Sequence, residues 1–189
     1  MASPELPQLK RVGFFSRLLG RKQDPLLERA RTLVQAATVS AVALHLTLLD
    51  RLPVIDQADA GDGVRRKAEH EHWVFILTVA GVFIAASRLN NLRKDDTCEQ
   101  RVMALVAEEL RRWNPDGIRA FEECKNVFER ELDRLTAAGH EAKCTTSDAL
   151  GLWIVANVLG RAPQTDEECV LVRTVGVMVT HTFFDWWES

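Results

Sequence analysis

The sequence predicts an all-α protein, a helical bundle of about six helices around a central apolar helix (about 64–92), preceded by a short basic amphipathic segment. Three observations carry this reading. Trp73 to Ser87 runs fifteen residues without a charge, and a helix that is apolar on every side has to be surrounded. Amphipathic stretches with helical spacing follow it. Gly and Pro number only ten and six in 189 residues and Tyr is absent, which disfavours a β-sandwich. The expected organisation is a flexible, basic amphipathic segment at 1–23 and a single helical domain at 24–189, long enough to bury a sizeable core.

The elements follow in order. Residues 1–8 carry two prolines and read as loose. From Leu9 to Lys22, Val12, Phe15, Leu18 and Leu19 share a helical face. Lys10, Arg11, Arg17, Arg21 and Lys22 add positive charge, a pattern that suits an interfacial helix on an anionic membrane. Asp24 followed by Pro25 is a start signal, and the helix it opens should run to about Leu52, before Pro53. Within that helix Glu28, Arg31, Gln35, Thr38 and His45 form a narrow polar stripe. A loop rich in Asp and Gly at 53–63 precedes the central helix.

Beyond it, Asp95, Asp96 and Thr97 offer caps for a helix ending at Trp113, with Val102, Leu105, Val106, Leu110 and Trp113 on its inner face. A helix from Pro115 to Ala138 should bury Ile118, Phe121, Phe128, Leu132 and Leu135. Thr146 or Ser147 is the expected cap of a helix over 148–159. Thr165 to Glu168 matches a capping box and opens the last helix, to about Trp187. The Val- and Thr-rich middle of that segment has strand propensity, and its cap and length favour helix.

Two stretches raise the question of a membrane. Thr32–Leu49 and Trp73–Ser87 are free of formal charge. The second reaches only about 22 Å at ~1.5 Å per residue, against a hydrocarbon core of about 30 Å. The polar stripe on the first suits a bundle better than lipid. Thr78, Gly81 and Ala85 form a small-residue side on which another helix can pack closely.

Candidate chemistry concentrates at the start of the central helix. Glu69, His70 and His72 are the candidate metal ligands, with His45, Glu108 or Glu109 as further donors. Glu69 and His72 have the E-x-x-H spacing used in ferritin-like dimetal bundles, and no second E-x-x-H is present. Arg66 and His72 are spaced as in the R-x5-H motif of helical HEPN ribonucleases, a resemblance confined to these two residues. It would imply action on an RNA backbone. His181 and Asp185 lie one turn apart with no identifiable nucleophile. Asn157 sits inside an apolar helix, where it can fix register or bond a neighbouring backbone group. Cys98, Cys124, Cys144 and Cys169 show no metal spacing and read as reduced thiols.

The function expected from these features is a non-catalytic adaptor or regulatory subunit that needs no cofactor. It would be cytoplasmic and peripheral to the inner membrane. Its partner would be another protein or a second copy, bound through Phe183, Phe184, Trp186 and Trp187. Lys10, Arg11, Phe14, Phe15, Arg17, Leu18, Arg21 and Lys22 would touch an anionic membrane surface. The formal net charge of -3 gives no pull toward nucleic acid. Two alternatives are an integral membrane protein with spans near 32–49 and 73–89, and a metal-dependent enzyme or ribonuclease centred on Glu69, His70 and His72.

Overall fold

The computed structural model describes residues 24–51, 63–93, 96–138 and 145–184. They form six helices: α1 (Pro25–Arg51), α2 (Gly63–Arg93), α3 (Asp96–Trp113), α4 (Gly117–Ala138), α5 (Thr146–Leu159) and α6 (Asp166–Phe183). No strand occurs among the described residues. The 1–23 segment lies outside them, as do the 53–62 part of the loop, Asp185, Trp186 and Trp187.

Helix α2 is the axis of the bundle and packs against all five others. From Trp73 to Ala86 every residue is buried except the half-buried Phe75. The uncharged run is therefore enclosed by protein on all sides, as its composition requires. Close approach is built into this axis at Gly81, where a Cβ would collide with the ring of Phe183 from α6.

α1 begins where Asp24 accepts a hydrogen bond from the Leu26 amide at 3.0 Å. It buries Ala30, Leu33, Val34, Ala37, Ala41, Leu44 and Leu48, a single face at helical spacing. The polar stripe runs along the flank of that face. Arg31 and His45 turn inward to partners, Thr38 donates to the Val34 carbonyl of its own helix, and Glu28 and Gln35 are exposed. α3 lies alongside α1 through ion pairs between Arg101 and Asp24 and between Arg31 and Glu109, the latter at 3.3 Å. Its inner face is Val102, Val106 and Leu110, with Leu105 half-buried and Trp113 partly exposed against Phe75.

Three expectations for the helices that follow need correction. α4 starts at Gly117, because Pro115 and Asp116 form a turn in which the Asn114 side chain accepts from the Asp116 amide at 2.9 Å. Its buried residues are Gly117, Ala120, Phe121 and Cys124; Ile118 and Phe128 are half-buried, Leu132 is exposed, and the side chain of Leu135 lies outside the described residues. The cap of α5 is Thr145, whose side chain and Asp148 close a reciprocal capping box.

α5 and α6 form a tight pair. Gly160 ends α5 at φ 66, a left-handed conformation that favours glycine. Thr165 and Glu168 cap α6 as the sequence predicts. Where the two helices cross, Gly151 faces the Val172 backbone and Gly176 faces the Ser147 backbone. A Cβ at either glycine would overlap a carbonyl oxygen. This backbone-to-backbone crossing, with the cap, holds the Val-rich segment as helix against its strand propensity.

Candidate functional site

The buried stretch of α2 opens with three ligand-type side chains that point in different directions. Successive residues on a helix diverge by about 100°, so Glu69, His70 and His72 do not converge. His70 faces α1: its Nδ1 lies 2.7 Å from His45 Nδ1, with ring centroids 4.8 Å apart. His72 faces α5, and its Nε2 donates to the Asn157 carbonyl at 3.1 Å. Glu69 is half-buried and precedes both in sequence. Among the described residues no group of three or more His, Cys, Asp or Glu side chains could hold a metal ion. The further candidates lie elsewhere: Glu108 is engaged by Arg111 and Arg112, and Glu109 by Arg31 and Arg112.

His45 is the most constrained ionisable group here. It is 3% exposed, its ring stacks on Trp73 at 5.5 Å and 24°, and its Nε2 is buried without a hydrogen-bond partner. Burial, and then the neighbouring His70, lower its pKa to about 4. The pair is held by a single proton between two imidazoles, so one ring donates and the other accepts. The sequence offers His45 as a further donor beside His70, but not this direct contact, which joins residues 25 positions apart across two helices.

The ribonuclease-like spacing gains nothing from this geometry. His72 is spent on an α5 carbonyl, and the side chain of Arg66 lies outside the described residues. Asn157 is half-buried and donates to the Trp153 carbonyl of its own helix at 2.8 Å. It is the Asn157 backbone, rather than its side chain, that reaches a neighbour.

The surface carries three apolar features. The outward face of α1 presents Val39 (72% exposed) and Leu46 (56%) with exposed Thr32, Gln35 and Ala43, and no charge interrupts it from Thr32 to Leu49. A groove of about 730 Å³ between α4, α5 and α6 has Leu152, Pro163, Val170 and Val172 in its lining. Arg134 and Arg173 border it but are committed to Glu131 and Asp148, and the exposed Cys169 thiol also lines it. A cleft of about 270 Å³ gathers Ser147, Val177, Thr180, His181 and Phe184. Its Ser147 hydroxyl donates to Thr180 Oγ1 at 3.1 Å, which in turn donates to the Gly176 carbonyl at 2.8 Å. That chain of hydroxyls ties α5 to α6.

The terminal aromatics divide. Phe183 is fully buried over Gly81 and belongs to the core, so it is not presented to a partner. Phe184 is partly exposed, with the Arg88 guanidinium 4.4 Å from its ring centroid. Trp186 and Trp187 lie outside the described residues, as do the proposed membrane contacts Lys10, Arg11, Phe14, Phe15, Arg17, Leu18, Arg21 and Lys22. Cys124 is buried, which pushes its thiol pKa up and leaves it inert. Comparison of the chain with protein-family models, curated proteins and solved structures gives no match.

Proposed function

We propose that this protein is a non-catalytic helical adaptor or regulatory subunit, and that α1 offers the face on which a protein partner packs. One observation carries the reading: eighteen consecutive residues of α1, Thr32–Leu49, lack any charge, yet only one side of the helix is covered by the bundle. A surface helix of a stable monomer ordinarily carries charge on its solvent side. Here that side holds Val39 and Leu46, with the small residues Ala36, Ser40, Ala43 and Thr47 on and beside it. The partner that fits is an apolar helix able to approach closely at those small positions. Glu28 and Arg29 at one end and Asp50 at the other bound the contact. Replacing Val39 and Leu46 together by Glu should abolish recovery of a stoichiometric partner while leaving the melting temperature within a few degrees of wild type. Retained binding would reject α1 as the docking face.

A second reading is supported by the same helix. α1 and α2 both have the length and composition to cross a membrane, and only 39% of the α1 window is buried, against 72% for α2. Hydrocarbon would cover Val39 and Leu46 as well as a partner helix does. Carbonate extraction of cell membranes separates the two readings: release of the full chain into the supernatant is expected of the adaptor, and retention in the pellet of a spanning protein. For the surface-bound form, Arg17, Arg21 and Lys22 replaced by Glu should weaken binding to anionic vesicles by about 1 kcal/mol per residue.

A further inference from the structure

The two histidine contacts of α2 respond in opposite ways to a proton. His72 Nε2 already donates to the Asn157 carbonyl, and an imidazolium makes that bond equally well or better. His45 and His70 share one proton at 2.7 Å. Protonating both rings removes the acceptor and sets two positive charges side by side in a buried place. The trapped Nε2 of His45 offers no second outlet, since it has no partner and Trp73 covers the ring.

We infer that the His45–His70 pair is an acid-sensitive joint that frees the C-terminal half of α1 from α2 while α2 stays tied to α5. The charged groups around it do not compensate. On α2, Lys67 and the exposed Glu71 pair with each other at 3.8 Å, and Glu69 is half-buried one residue before His70. On α1 itself Asp50 is exposed. α3 meets α1 through Arg101–Asp24 and Arg31–Glu109. The later of these is at Arg31, roughly 21 Å along the axis from His45. On α6, Glu168 is held by Arg161 and Arg173 by Asp148, and Asp166, Glu167, Cys169 and His181 are exposed.

Opening would expose Leu44 and Leu48, now buried in the core, in addition to the outer face that carries Val39 and Leu46. The joint would thus regulate how much apolar surface α1 offers. The inference does not depend on what α1 docks against, so loss or retention of partner binding in the Val39/Leu46 variant leaves it standing.

Hydrogen exchange of the full chain at pH 7 and pH 5, corrected for the intrinsic pH dependence of exchange, tests it. Amides of 41–50 should open about twenty-fold more at pH 5 if the joint releases a histidine of ordinary pKa. Amides of 150–159 in α5 should not change. His45→Leu should remove the acid response, and His72→Gln should keep it. Equal protection of 41–50 at both pH values overturns the inference, as does an unchanged acid response in His45→Leu. Should His45→Leu fail to fold, NMR titration of the wild-type His45 ring decides: a midpoint below 5 is expected, and one near 6.5 overturns it.

Discussion

Helices α1 and α2 are made of nearly the same material and meet different fates. Each has a long run without charge, yet α2 is enclosed by five helices and α1 is covered on one side only. What separates them is not hydrophobicity but the company each keeps. α2 turns small positions to its neighbours, with Gly81 under Phe183, so helices close on it from every direction. α1 sits at the rim, where the amphipathic α3 reaches only its first part. An uncharged run therefore marks a helix that needs covering. It does not reveal whether the cover is in the same chain.

Substitutions can break this comparison. The largest effect should come from Phe183→Ala, which removes the ring over Gly81 and leaves a cavity against α2; a loss of about 3–5 kcal/mol is expected in urea unfolding. Leu77→Ala, fully buried on α2, should cost about 2–5 kcal/mol. A loss below 1 kcal/mol for either would mean that α2 is not sheathed as described. Leu46→Ser on the α1 outward face should fall within about 0.5 kcal/mol of wild type in the isolated protein.

Acid should sharpen the same contrast. His45 has a pKa of about 4 when folded and an ordinary value of 6.5 when released. The unfolded chain therefore binds the extra proton, and stability present above pH 6.5 declines as pH falls toward 4, by on the order of 3 kcal/mol. Glu168 has its carboxyl lowered to about 2, first by Arg161 and then by the Gln164 amide. Its stabilisation is present above pH 4.5 and is lost as pH falls toward 2. Melting temperature should thus fall first between pH 6.5 and 4, through His45, and again below pH 4.5, through Glu168. A flat profile between pH 7 and 4 would contradict the assignment of His45.

Much of the fold was legible in the sequence because local signals agreed with one another. Asp24-Pro25, Thr165 with Glu168, and Gly160 each act through the backbone beside them, and all three sit where the residues predict. Where local signals are degenerate, a boundary is fixed only to within a residue or two: Thr145, Thr146 and Ser147 are all competent caps, and only Thr145 has Asp148 three residues on to complete the box. Phe183 rather than Phe184 continues the buried stripe of Leu171, Val175 and Val179, a periodicity blurred in the sequence by Val170 and Val177 on the exposed side. At the candidate site, His45 and His70 are each visible in the sequence, but their contact depends on how α1 lies against α2, and the E-x-x-H spacing points to His72 instead.

α2 is enclosed by its own protein, whereas the outer face of α1 is exposed in the isolated chain. Hydroxyl-radical footprinting of the purified full chain tests this without a substitution. The account predicts that Val39 and Leu46 are oxidised several-fold faster than the enclosed Leu77 and Val79. Comparable rates for the two helices would contradict it.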